Sequence, residues 1–91
     1  MITSEQIRSA RAALRWSAVD LAGRAGVGVQ TVKRFELGTG IPPSRSATLD
    51  RVRRALEDAG IEFIGSPDAG PGIRIHRRDR KPGPGTDAGA A

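Results

Sequence analysis

Apolar residues recur at helical spacing in four stretches of the chain. Ile7, Ala10 and Leu14 follow Thr3 and Ser4, either of which can cap a helix, and Gln6 stands three residues after Thr3 in capping-box register. This predicts a first helix ending near Arg15. Trp16 then precedes Ser17, a good N-cap, with Asp20 at the third helical position and Leu21 at the fourth, so Trp16 and Leu21 match a hydrophobic staple. Ala18, Leu21, Ala22 and Ala25 form the apolar stripe of a short second helix that stops at Gly26, a residue able to take positive φ. Val27 follows as a buried pivot.

A third helix is expected from Gly28 or Val29, with Val32 and Phe35 inward and Gln30, Thr31, Lys33 and Arg34 turned elsewhere. It should stop near Gly38, where Gly-Thr-Gly precedes Ile-Pro-Pro. Ser44 or Ser46 can cap a fourth helix carrying Leu49, Val52, Leu56 and Ala59, with Gly60 as its stop. Beyond it the period changes to two. Ile61 to Ile64 is rich in β-formers and Gly72 to His76 alternates, so a β-hairpin with a long connection through GSPDAGPG is expected. Residues 79–91 are mainly Gly, Pro, Ala and scattered charge, without large apolar side chains to offset the entropy of ordering, and a disordered tail is expected there. The expected architecture is all-α: a compact four-helix domain over residues 1–60, a short hairpin over 61–78 and the tail over 79–91.

Charge narrows the choice of partner. The 91 residues carry a formal net charge of +5, and residues 1–45 hold seven basic against three acidic side chains, so the surplus lies with the first three helices. Such a balance suits a polyanion such as nucleic acid. The chain has no cysteine and a lone histidine, His76, which excludes thiolate sites and leaves no zinc site; no metal or cofactor is expected. No nucleophile stands in sequence beside a histidine and the acids are scattered, so no enzyme is expected either. MITSEQIRSA is polar from its third residue and no stretch approaches 18 continuous apolar residues, which points to a cytoplasmic, nucleoid-associated protein without membrane contact.

The glycines around AGVGVQTVKRFELGTG admit a phosphate-loop reading, and it fails on the residues. Gly23 and Gly28 have the separation of G-x-x-x-x-G-K-[ST], but Val29 and Gln30 stand where the lysine and the metal-binding hydroxyl belong. A G-x-G-x-x-G fingerprint from Gly26 and Gly28 requires glycine where Thr31 stands. Both motifs also need a preceding strand, and residues 17–25 read as a helix. Two short helices joined at Gly26 instead fit a helix-turn-helix, whose second helix enters the major groove.

SAVDLAGRAGVGVQTVKRFELG, residues 17–38, resembles the helix-turn-helix of the phage-repressor (XRE, Cro-like) family. The family pattern S-x-x-x-L-A-x-x-x-G-V-S-x-x-T-[IV]-x-[RK]-[apolar]-E-x-G is met here by Ser17, Leu21, Ala22, Gly26, Val27, Thr31, Val32, Arg34, Phe35, Glu36 and Gly38. With flanking helices the resemblance covers about residues 4–60 and implies a repressor-like DNA-binding domain. The chain departs from the pattern at Gly28, where a capping Ser or Thr is usual, and at Ala18, where a Gln is frequent.

The resemblance places Val29, Gln30, Lys33 and Arg34 against bases, the positions that also lie opposite Val32 and Phe35. Gln can pair with adenine, Arg or Lys with guanine, and Val29 can touch a thymine methyl. Ser17, Arg24, Thr31 and Arg45 are expected on phosphates, which orients a protein without reading sequence. The resemblance further implies that Glu36 pairs with Arg11. The expected function is a sequence-specific transcriptional regulator on double-stranded DNA, as a homodimer on an inverted repeat, with Ile61, Phe63, Ile73 and Ile75 of the hairpin and the fourth helix as the dimer surface. The alternative is a protein-interaction module, an antitoxin or adaptor holding a protein partner through hairpin or tail, with DNA binding secondary.

Overall fold

In a computed structural model that describes residues 2–76, four helices are followed by one antiparallel hairpin: α1 (Ser4–Leu14), α2 (Ala18–Ala25), α3 (Val29–Glu36), α4 (Ser46–Asp58), β1 (Ile61–Ser66) and β2 (Ala69–Ile75). The expected tail, residues 79–91, and the last two residues assigned to the hairpin lie outside the described residues. Among the described residues no helix is long and apolar enough to cross a membrane.

Local chemistry sets the first helix boundaries. Thr3 Oγ1 accepts from the Gln6 N–H at 3.1 Å and Gln6 Oε1 accepts from the Thr3 N–H at 2.9 Å, so both halves of the capping box are made. Arg15 closes α1 in the left-handed region (φ 59°), where its N–H reaches the Ala12 carbonyl. Ser17 and Asp20 form a second capping box at α2. Gly26 (φ 72°) ends α2 with its N–H on the Ala22 carbonyl, and α3 resumes after only Gly26, Val27 and Gly28.

Two expectations fail here for identifiable reasons. The N-cap of α4 is Arg45, not Ser44 or Ser46: Ser46 already lies inside the helix, the Ser44 hydroxyl is turned to the Arg45 carbonyl, and no side chain caps the first turn. The hairpin connection is Pro67-Asp68 alone, not a long loop, because Ala69, Gly70 and Pro71 belong to β2. The register runs Ile61↔Ile75, Glu62↔Arg74, Phe63↔Ile73 and Ile64↔Gly72, then shifts before Ser66↔Ala69. That bulge requires glycine at 65, which has φ 77° and where a Cβ would collide with the Gly70 carbonyl. Glycines that read as loop are bulge residues.

The core joins Ile7 and Ala10 of α1, Leu21 of α2, Val32 and Phe35 of α3, Leu49, Val52 and Leu56 of α4, and Ile61 of β1. Phe63 and Ile73 pack half-buried against it. Three of the four side chains assigned to a dimer surface are therefore packed on this core, and Ile75 alone, at the end of β2, is largely exposed, at 57%. The hairpin is also tied down by a polar junction: the buried Gln6 side chain donates from Nε2 to the carbonyls of Ile64 (3.1 Å) and Gly72 (2.8 Å), the last regular pair before the bulge. One amide thus closes a helix start and caps two strand carbonyls. Gln6→Ala leaves the Thr3 N–H and both carbonyls without this partner, and we expect it to lower unfolding free energy by about 3 kcal/mol. Urea denaturation monitored by circular dichroism checks this, and a loss below about 1 kcal/mol would mean the junction is replaced by water at little cost.

Candidate nucleic-acid interface

Helix α3 has two turns, and its faces are cleanly divided. Val32 and Phe35 are fully buried, whereas Gln30, Lys33 and Arg34, spaced i, i+3 and i+4, are exposed along one side. Val29 is half-buried and packs against the core, and Thr31 is half-buried beside Gly28. Of the four side chains assigned to bases, three share the outward stripe and Val29 stands apart from it.

An eight-residue helix is marginal alone, so its orientation depends on what holds it. The structure brings Arg11 and Glu36 together in a two-pronged pair, Nε to Oε2 at 2.7 Å and Nη2 to Oε1 at 2.8 Å. The Glu36 side chain is 10% exposed and that of Arg11 28%. The hydrogen bonds to Glu36 hold the Arg11 guanidinium above its usual pKa against the opposing effect of burial. Arg11 Nη1 also donates to the Trp16 carbonyl at 2.9 Å, linking the α1–α2 junction to the same pair.

Arg8 is a residue that sequence reasoning counted only as surplus charge. Its Nη1 donates to the carbonyls of Glu36 and Gly38, the latter at 2.9 Å, so a cation closes the C-terminal end of α3, where the helix dipole favours one. The chain after α3 is held in turn by Ser4 N–H on the Gly40 carbonyl at 2.8 Å and by Gly40 N–H on Glu5 Oε1 at 3.0 Å. Arg51 was missed as well: from α4 its Nη1 donates to the Gly26 carbonyl at 3.3 Å, bringing a cation to the α2–α3 turn. The helical pattern of α4 marks Arg51 as outward, but only the packing of α4 on α2 shows what lies opposite.

The side chains assigned to phosphates are dispersed. Ser17 Oγ accepts from the Asp20 N–H at 3.0 Å and Asp20 Oδ2 accepts from the Ser17 N–H at 2.8 Å. A carboxylate therefore already occupies the start of α2, next to the hydroxyl expected to meet phosphate. Arg24 lies with its guanidinium 4.6 Å from the centroid of the Trp16 ring, a cation–π contact that covers one face of an indole half-buried on the core. Arg45 is exposed at the start of α4.

Apart from Arg11 and Glu36, the ion pairs among the described residues lie on α4 and the hairpin. Arg53 and Arg54 of α4 pair with Asp50 and Glu57, and Arg74 with His76 surrounds Glu62 on the outer face of the hairpin. An open cavity of about 570 Å³ between α1, α4 and β1 is walled by that neutralised Asp50, Arg53 and Glu57 cluster. By contrast, among the described residues Lys33, Arg34 and Arg45 have no carboxylate within salt-bridge distance. A row with one amide, two unneutralised cations and their fixed backbone can bind a polyanion and hydrogen-bond to base edges. Compared with protein-family models and with curated proteins, the chain matches none.

Two measurements test the supports of α3. Glu36→Gln removes the charge opposite a partly shielded guanidinium, and because Arg11 retains some solvent the expected loss is about 2 kcal/mol, less than for a fully buried pair; melting at the parent temperature would exclude this structural role. The second concerns acid. The Asp20 carboxyl is held below the usual range by the backbone N–H of Ser17 first and by its hydroxyl second. A lowered folded value means that this contribution is complete above about pH 4, the unfolded value, and is lost as pH falls through the folded one. Denaturation at a series of pH values should show stability falling below pH ~4, with a shallower fall in Asp20→Asn; identical profiles would remove Asp20 from the account.

Proposed function

We propose that this protein is a sequence-specific regulator that binds double-stranded DNA with α3 in the major groove, as a homodimer on an inverted repeat. The observation that carries the reading is the outward row of Gln30, Lys33 and Arg34, unneutralised among the described residues and set on a helix that is joined to α2 by a three-residue turn and anchored to α1. An α-helix fits the major groove, and this row offers the groups that groove can read: an amide for adenine and cations for guanine or phosphate. The positions of Arg51 beside the α2–α3 turn and Arg45 at the start of α4 support phosphate contacts on either side. Thr31, half-buried at the first turn of α3, serves the backbone near that turn more readily than a base.

A two-fold arrangement would put the two copies of α3 in successive major grooves about 34 Å apart. With Ile61, Phe63 and Ile73 packed inward, the hairpin can lend a second copy only Ile75 and its open strand edges. Gln30 is assigned to base reading, Lys33 and Arg34 to base edges and adjoining phosphates, and Arg45 to phosphate alone.

Selection of bound fragments from a random duplex pool tests the whole reading and reports half-site symmetry directly; recovery of an unenriched pool would sink it. On the selected site, Gln30→Ala should cost roughly 1–3 kcal/mol and relax preference at one base step. Arg45→Ala should weaken binding to selected and random duplexes alike and reduce the salt dependence by about one counterion. Equal losses on both duplexes for Gln30→Ala would take it off the list of readers.

A further inference from the structure

Four large apolar side chains stand exposed among the described residues: Val19, Leu37, Ile41 and Ile75. Leu37 is the most exposed of them, at 72%, and it directly follows Glu36, the last residue of α3. Its φ of −79° stays close to the helical value, and only ψ, at 142°, departs. Since φ fixes where Cβ leaves the backbone and ψ only redirects the chain beyond, the Leu37 side chain starts where a continuing helix would put it. Seven helical residues return to within about 20° of the same direction. Gln30, Lys33, Arg34 and Leu37 therefore form one row about 10 Å long.

The backbone under Leu37 is fixed. Its N–H donates to the Arg34 carbonyl at 3.3 Å, and Arg8 holds the carbonyls of Glu36 and Gly38 on either side of it. A leucine displayed on an anchored backbone, with its side chain in solvent, contributes nothing to the core. Ile41 does not share the row, because Gly38 and Gly40, both at positive φ, turn the chain back toward the start of α1 before it. Val29, the apolar residue at the other end of α3, is drawn half-buried into the core.

A row of one amide, two cations and one apolar side chain has a direct counterpart in the major groove, where base edges offer acceptors and donors and thymine adds a C5-methyl. We propose that Leu37 is a specificity-determining residue that packs on a thymine methyl, an assignment resting on the reading of α3 as the DNA-contacting helix. Continuity with Gln30, Lys33 and Arg34 favours duplex DNA over a protein partner as the surface that covers it.

The test replaces the thymines of the selected duplex, one at a time, by deoxyuridine, which lacks only the methyl. The parent protein should bind about fourfold more weakly after one such replacement, the value of burying one methyl-sized group. Leu37→Ala should bind the two forms of that position equally, with the salt dependence of the parent and the same melting temperature. A parent indifferent to every replacement overturns the assignment, as does a Leu37→Ala protein that keeps the preference. Loss of self-association in Leu37→Ala with the thymine preference intact also overturns it and gives Leu37 to a protein contact. Failure to select any sequence from the random pool is a separate outcome, which overturns the DNA-binding reading beneath it.

Discussion

Arg11 and Glu36 meet through two hydrogen bonds, and because one belongs to α1 and the other ends α3, they fix an angle that apolar packing leaves loose. Val32 and Phe35, with Val29 half-buried beside them, hold α3 to the core and set its depth, but apolar contacts along one face of a two-turn helix do not fix its rotation. The ion pair removes that freedom at one end, and Arg8 removes it again by holding the carbonyls of Glu36 and Gly38. The pair also disposes of the only acid on α3. Left outward, Glu36 would partly cancel Lys33 and Arg34; drawn under α1, it leaves their charge intact on the opposite side. A single pair thus serves both the geometry and the electrostatics of α3.

The features legible in the sequence are those decided within a few residues. Thr3 with Gln6, Ser17 with Asp20, and Gly26 each complete their backbone hydrogen bonds locally, so α1, α2 and the α2–α3 turn follow from spacing. The stripes of α3 and α4 follow from period in the same way. What escaped depended on partners far along the chain. Gln6 was readable as a capping residue, but its second amide function, on Ile64 and Gly72, exists only once the hairpin is docked. Arg8 and Arg51 look like any solvated cation until the carbonyls opposite them are known. The hairpin connection was misjudged because glycine and proline mark turns and bulges alike, and the clash at Gly65 that separates the two is a contact with Gly70 across the strands.

Residue assignments at the candidate site divide along the same line. Outward placement of Gln30, Lys33 and Arg34 follows from their spacing against Val32 and Phe35, and the structure adds that no carboxylate among the described residues neutralises the cations. Val29 stands at the boundary between the faces, half-buried against the core instead of in the outward stripe, a position that helical spacing leaves open. Ser17 and Arg24 were assigned to phosphate by residue type. Their actual neighbours are a carboxylate and an indole, which type cannot disclose.

The glycines of the α2–α3 turn show how differently one residue type is used. Gly26 sits at φ 72°, where an L side chain is strained, so the turn itself requires glycine. Gly28 has φ −73° and ψ 150°, which any residue adopts, and a Cβ there would meet nothing closer than Thr31 Oγ1 at 3.9 Å. Glycine at 28 is therefore not dictated by the fold, and its lack of a side chain leaves α3 without a side-chain cap, forgoing a few tenths of a kcal/mol relative to serine. On the proposed reading this has a counterpart at the interface. Uncapped amides at the positive end of a helix dipole, with no Cβ in front of them and Arg51 beside the turn, are open to an approaching phosphate oxygen. At α2 the arrangement is reversed, because Asp20 supplies the negative charge from within the chain. The two adjacent helix starts thus differ in charge: a carboxylate caps α2, whereas α3, which carries the exposed row, has no side-chain cap.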